Sequence, residues 1–214
     1  MTSQGNIRIR KKKGLILVVT APSGAGKTTL CQSLAKGFPT IRYTISYTTR
    51  QPRKGEVSGK HYHFVTRDEF ESMIRQELFS EWAEVYGNFY GTLSKDIKEL
   101  TSEGYDVLMD IDTGGAIQIR EKFKEAVLIF ICPPSLSILK QRLLKRGTDS
   151  TDIVKERLKK VYEEVSYLEK FNYMVVNDDF SNALKELESI VIAERVRVSR
   201  VNSLWVDNFL KDME

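Results

Sequence analysis

The sequence predicts an α/β fold, a parallel sheet flanked by helices, and three observations predict it. Four apolar runs of strand length, Leu15–Val19, Val107–Ile111, Val127–Ile131 and Met174–Val176, lack polar alternation, as strands buried on both faces do. Segments with helical spacing lie between them. The first run feeds a glycine-rich turn and then a helix, and strands alternating with helices build a parallel sheet covered on both faces. The 214 residues are enough for one such domain with insertions.

The opening unit is the most specific. Leu15-Ile16-Leu17-Val18-Val19 precedes Ala21-Pro22-Ser23-Gly24-Ala25-Gly26-Lys27-Thr28, and Thr29 to Lys36 reads as a helix stopped by Gly37. This is the P-loop pattern of nucleoside triphosphate enzymes, with Ala21 where the first glycine usually stands. Small residues let backbone N–H groups converge on phosphate oxygens, and the helix N-terminus adds partial positive charge. Residues Ala21 to Thr29 are therefore the candidate ATP-binding loop, with Lys27 reaching the β- and γ-phosphates and Thr28 on Mg²⁺. The pattern leaves the acceptor of the phosphate open.

The later elements follow from period and caps. Ser135 is placed to cap a helix from Leu136 to Lys145, ended by Gly147. Asp152 to Phe171 carries Val154, Leu158, Val161, Tyr162, Val165 and Leu168 on one stripe. Ser181 can cap a long helix with Leu184, Leu187, Ile190 and Val191 facing inward, and Trp205, Val206, Phe209 and Leu210 suggest a short amphipathic helix in the tail. The expected organisation is a basic leader at 1–13, a core at 14–41 and 93–195, and a C-terminal helical extension at 196–214. Residues 42–92, rich in Tyr, Thr, Ser and Gly, break the rhythm and read as an inserted, partly β lobe; about 137–157, dense in Lys and Arg, is a second insertion.

Composition narrows the function classes. No apolar run approaches the ~20 residues that span a bilayer, and the run before the loop leads straight into it, so no membrane is expected and the expected compartment is the cytoplasm. Cys31 and Cys132 lack metal-ligand neighbours and read as small core residues. Two histidines, His61 and His63, are too few for a His-rich metal centre and read as strand filling. The net charge is +4, with acids and bases interleaved except at Arg8–Lys13, so no nucleic acid partner is expected. Oligomeric state stays open.

The inserted segment holds Ser46-Tyr47-Thr48-Thr49-Arg50-Gln51-Pro52-Arg53-Lys54-Gly55-Glu56. Two guanidiniums flanking a proline-stiffened turn repel unless an anion lies between them, and Arg suits bidentate phosphate contact. Gly59-Lys60-His61-Tyr62-His63-Phe64, Glu81-Trp82-Ala83 and Gly87-Asn88-Phe89-Tyr90-Gly91-Thr92 follow, then LMDIDTGGA, KQRLLKRGT and VVNDDF. Together and in this order, from about Gly14 to Lys185, these motifs resemble guanylate kinase. The resemblance implies a P-loop NTPase-type sheet, a GMP-binding lobe at 42–92 and a small helical lid at about 137–157. It implies Ser46, Arg50, Arg53, Tyr62, Glu81, Tyr90, Thr92 and Asp112 as the GMP-binding set. It also implies Arg142, Arg146 and Arg157 as lid and phosphate arginines, catalytic together with Lys27 and Arg50, and Asn177 on the adenine side. Asp110, ending a strand near the loop, would orient Mg²⁺ through its waters. Thr113-Gly114 departs from the family, where a residue followed by Gln is common.

Residue chemistry supports the acceptor. A carboxylate such as Glu81 accepts from guanine N1–H and N2–H, whereas adenine presents an acceptor at N1; the Ser46 hydroxyl can donate to O6. The attacking oxygen of GMP (dGMP is an expected alternative) is largely deprotonated at neutral pH, which fits the lack of a strong general base. The alternatives are a non-catalytic guanylate-kinase-like interaction module, a P-loop kinase of another small phosphorylated metabolite, and a nucleic-acid-binding ATPase. Intact Lys27, Thr28, Arg50 and Arg53 speak against the first. Glu81 and Ser46 speak against the second, and only Arg8–Lys13 favours the third.

Overall fold

The computed structural model describes residues 13–85, 87–145 and 151–211, with the side chains of 151–157 outside the description. The elements run β1 (Ile16–Thr20), α1 (Lys27–Gly37), β2 (Ile41–Tyr43), β3 (Tyr47–Thr48), β4 (His63–Phe64), α2 (Arg67–Arg75), β5 (Phe79–Val85), β6 (Asn88–Leu93) and α3 (Ser94–Glu103). They continue with β7 (Asp106–Asp110), α4 (Thr113–Lys122), β8 (Val127–Cys132), α5 (Leu136–Lys145), α6 (Thr151–Ser166), β9 (Tyr173–Val176), α7 (Phe180–Arg195) and α8 (Ser203–Lys211).

Two sheets organise these elements. The main sheet is parallel, in the order β2-β7-β1-β8-β9. Its central strand β1 is buried on both faces, and the period-2 alternation divides its side chains between two cores. Leu15, Leu17 and Val19 join Leu30, Leu34, Ile129, Leu187 and Val191 under α1 and α7. Ile16 and Val18 join Met109, Ile97, Ala116 and Ile119 under α3 and α4. Each fully buried Leu or Ile contributes about 1.5–3 kcal/mol by leaving water. The absence of alternation in β7, β1 and β8 is thus the trace of a sheet covered twice, whereas Met174–Val176, expected as a buried strand, lies in the edge strand β9 with Met174 and Val176 exposed.

The second sheet, in the order β4-β3-β6-β5, packs one face on α2 through Phe70, Phe79 and Phe89. Thr66 caps α2 in a reciprocal capping box with Glu69. The segment expected as the inserted lobe starts inside β2, because Ile41–Tyr43 pairs with β7 in the main sheet.

Several expected boundaries shift for local reasons. Helix α1 begins at Lys27, two residues early, because Gly26 in the left-handed region is its N-cap; Gly37 is its last residue and extended Phe38 ends it. Helix α7 is capped by Asp179, whose carboxylate accepts from the Asn182 N–H, and Ser181 lies inside the first turn. The expected helix 152–171 stops at Ser166 and is followed by a 3₁₀ turn at Leu168–Lys170; Tyr162 and Val165 face solvent while Leu158 and Val161 pack on α5. Ser135 does cap α5, accepting from the Ile138 N–H; Gly147 lies outside the described residues. His63 stacks on Tyr47, but His61 sits in a turn where its Nδ1 accepts from the Val57 N–H. Cys31 is buried and Cys132 is half-buried.

The lower edge is tied by a polar knot. Asp106 is buried; its Oδ1 accepts from the Leu15 N–H at 2.7 Å and its Oδ2 from Arg195 at 2.8 and 2.5 Å. Arg195 also donates to the Thr40 hydroxyl, so the starts of β1 and β7, the turn before β2 and the end of α7 share one ion pair. Among the described residues no helix is long and apolar enough to cross a membrane.

Candidate active site

The phosphate loop closes over the top of β1. Gly24 and Gly26 both sit at φ +93°, and the Ala25 N–H donates to the Pro22 carbonyl. Glycine is required at the second position: a Cβ on Gly26 would lie 2.4 Å from Asn177 Nδ2. That amide donates to the Ala25 carbonyl at 2.6 Å, so Asn177, expected beside adenine, is buried under the loop and braces it. The departure at Ala21 is absorbed by packing, because Ala21 is buried within the core beneath α1.

Lys27 and Thr28 stand in the first turn of α1, and Asp110 ends β7 beside them. Lys27 Nζ lies 2.6 Å from Asp110 Oδ1 and donates to the Ile111 carbonyl at 2.8 Å. The Thr28 hydroxyl donates to Asp110 Oδ2 at 3.1 Å. A hydroxyl and a carboxylate at hydrogen-bond distance on the open side of the loop are the hard oxygen donors that Mg²⁺ takes beside phosphates and water. The residues therefore fit the ion that the fold implies.

The other face of the β4-β3-β6-β5 sheet turns toward this lysine. Ser46, Tyr62, Glu81, Ala83, Tyr90 and Asp112 line a cleft of ≈ 320 Å³ together with Lys27 and Asp110. A β-bulge aims Glu81 there. Phe79 pairs with Leu93 and Glu81 with Thr92, so Ser80 is an extra residue and Glu81 faces away from Phe79 and the aromatic core. Without the bulge Glu81, two residues on, would point into that core. The buried Ser80 hydroxyl holds the bulge by donating to the Thr92 carbonyl. Glu81 is only 5% exposed, and burial, reinforced by the charge of Asp112 and opposed by hydrogen bonds from Thr92, pushes its carboxyl up to about 7. Ser46 and Thr92 share a hydroxyl–hydroxyl bond at 3.1 Å. Asp112 caps α4, accepting from the Gly115 N–H at 2.7 Å.

Of the two guanidiniums of the proline turn, that of Arg50 is paired internally. Glu56 accepts both Arg50 Nη groups, at 2.9 and 3.0 Å, and the Arg53 N–H at 2.7 Å, which holds its carboxyl down at about 2. Arg50 lies over the Tyr62 ring, which meets Tyr90 edge-on, whereas Arg53 is exposed. An acid of the chain itself thus pairs the Arg50 guanidinium, while it meets Arg53 through the backbone N–H alone. The signal for Glu56 was present in the spacing of the motif, three residues after Arg53.

The lid side is reached by α6. Ser23, Glu84, Asp112, Gly114 and Glu164 line a neighbouring cleft of ≈ 490 Å³. Burial and Asp112 push the Glu164 carboxyl up to about 7 against the pull of Lys27. Glu164 was not legible in the sequence, since it sits on the polar side of the helical stripe. A Cβ on Gly114 would meet only Asp112 Oδ1, at 3.5 Å, so the departure from the family leaves open cleft where a side chain would stand. Arg142, expected at the phosphates, donates instead to the Asn177 carbonyl at 2.9 Å. Arg146 and the Arg157 side chain lie outside the described residues.

Residues 13–194 match the family model described as guanylate kinase. The chain belongs to the guanylate kinase family. It is 46% identical over 196 residues to a guanylate kinase of Caldanaerobacter subterraneus subsp. tengcongensis, covering 92% of this chain and 95% of that one. It is also 46% identical over 199 residues to one of Geobacter metallireducens, covering 93% and 98%. The crystal structure of guanylate kinase from Anaplasma phagocytophilum superposes with TM-score 0.72 at 35% identity, over 89% of this chain and 91% of that one. Membership of the guanylate kinase family makes the chain a nucleoside monophosphate kinase, with an ATP-dependent phosphoryl transfer as its reaction.

Proposed function

We propose that this chain transfers the γ-phosphoryl group of ATP to GMP, giving ADP and GDP, with dGMP as a second acceptor. One observation carries the reading: a single cleft joins the phosphate-loop lysine and Asp110 to the buried carboxyl of Glu81 and the hydroxyls of Ser46 and Tyr90. Guanine offers two donors to Glu81 and an acceptor to Ser46, with Thr92 and Asp112 completing the base pocket. Arg50, Arg53, Tyr62 and Tyr90 take the acceptor phosphate. The loop from Ala21 to Thr29 cradles the ATP phosphates, braced by Asn177.

The acceptor oxygen carries its negative charge already, so transfer needs no strong base. The task is to bring two polyanions into line and balance their charge. Lys27 moves from Asp110 to the donor phosphates, joined by Arg142, Arg146 and Arg157 from the lid. Thr28 and Asp110 would hold Mg²⁺, which when bound would supply charge neutralisation on the phosphate oxygens. Closure of the lid (137–157) and the GMP lobe excludes water as a competing acceptor.

A coupled assay of ADP release with GMP, AMP, CMP, UMP and IMP tests the reading. GMP should be the best acceptor by a wide margin. Equal rates with AMP and GMP would sink the base assignment, and no turnover with any acceptor would favour a non-catalytic interaction module.

A further inference from the structure

Glu81 rides on β5, the outer strand of its sheet, which pairs with β6 on one side and has no neighbouring strand on the other. Helix α4 supplies that neighbour. The Gln118 side chain donates from Nε2 to the Trp82 carbonyl at 3.0 Å and accepts at Oε1 from the Trp82 N–H at 3.1 Å. One amide thus makes the donor–acceptor pair that an adjacent strand would make, on the residue next to Glu81. One turn further along α4, Lys122 Nζ donates to the Phe79 carbonyl at 2.5 Å, on the other side of the bulge. At the start of the helix, a Cβ on Gly115 would lie 2.9 Å from Glu81 Oε2, so only glycine lets the carboxylate stand against the first turn.

We propose that α4 determines acceptor specificity through Gln118 and Gly115, which fix the carboxylate of Glu81 where it reads the base edge. Gln118 is a positioning residue: it reaches the base only through the bulged strand. Gly115 sets the depth at which the carboxylate stops. This inference rests on the reading of Glu81 as the group that accepts from guanine.

The test is the ratio of kcat/KM for GMP to that for IMP, which lacks the N2 amine, in Gln118→Met and Gly115→Ala, with Glu81→Gln as reference. Both α4 variants should lower the ratio by about tenfold, one lost well-placed hydrogen bond. KM for GMP should rise, kcat at saturating GMP should change by less than about threefold, and KM for ATP should stay put. Gly115→Ala keeps the Gln118 bonds, so it tests the placement even where Gln118→Met melts early. An unchanged ratio in both variants, with Glu81→Gln lowering it, overturns the role of α4 and leaves the base reading standing. An equal loss for GMP and IMP, with KM for ATP rising too, also overturns it, because that is general loosening. A ratio unchanged even in Glu81→Gln removes the base reading and this inference with it.

Discussion

Glu81 carries a proton to an unusual pH, and that makes it measurable. Its carboxyl is raised from 4.5 to about 7, so the folded chain prefers the protonated form. That preference stabilises fully below the unfolded value and is lost as pH rises through the folded one. Wild-type stability should therefore fall between about pH 4.5 and 7 relative to Glu81→Gln, read from urea midpoints across that range. Guanine needs the ionised form, so GMP binding below about pH 7 should release a proton, detected as a buffer-dependent heat. Glu81→Gln retains only the part that comes from the GMP phosphate; identical proton release in both proteins would refute the assignment. Residue spacing does not single out Glu81, because Phe79 and Glu81 stand two apart and a regular strand would turn both to one face. Only the order of motifs identified it, and the bulge at Ser80 supplies the physical reason. Glu56 went unassigned, because the close arginines pointed to a phosphate and not to an acid six residues after Arg50.

At the scale of elements, the loop and its brace form one unit. Gly26→Ala forces a Cβ into the Asn177 amide and an alanine into the left-handed region. It should lower unfolding free energy by about 1–3 kcal/mol and raise KM for ATP more than KM for GMP. Equal effects on both nucleotides would show that the loop is not the donor side. Leu108→Ala, fully buried in β7, should lose about 2–5 kcal/mol in chemical denaturation with both KM values intact. The central strands β7, β1 and β8 were readable because double burial removes alternation; β2 and β9, at the edges, are only partly buried. Helix ends were less so: Ser181 and Asp179 are both good caps, and the backbone at Asp179, extended at φ −115°, decides between them. The break after Ser166 left no sequence signal, since Val165 and Leu168 continue the apolar period.

At the scale of the whole molecule, two nucleotides must be enclosed. GMP with a non-hydrolysable ATP analogue should compact the protein more than either ligand alone, seen as a smaller radius of gyration in small-angle scattering. No change with both bound would count against closure. The movement has a fixed side, because Gln118 and Lys122 fasten β5 to α4. The arginine turn follows β3, which pairs through β6 with β5, so it moves with Glu81 as one sheet. The tail helix α8 shows why composition does not place an amphipathic segment: Leu204, Phe209 and Leu210 are exposed, and its Trp205 and Phe209 stack on one another.

The knot at Asp106 bears on how the chain is made. Its carboxylate is needed by the Leu15 N–H at the first strand, yet its cationic partner is Arg195. A ribosome releases those residues in order, with nearly the whole domain between the first and the last. Without Arg195 the carboxylate has no cation among the contacts it makes, and an unpaired charge is expensive to bury. The ion pair that ties this edge is thus completed only by a residue translated near the close of the domain.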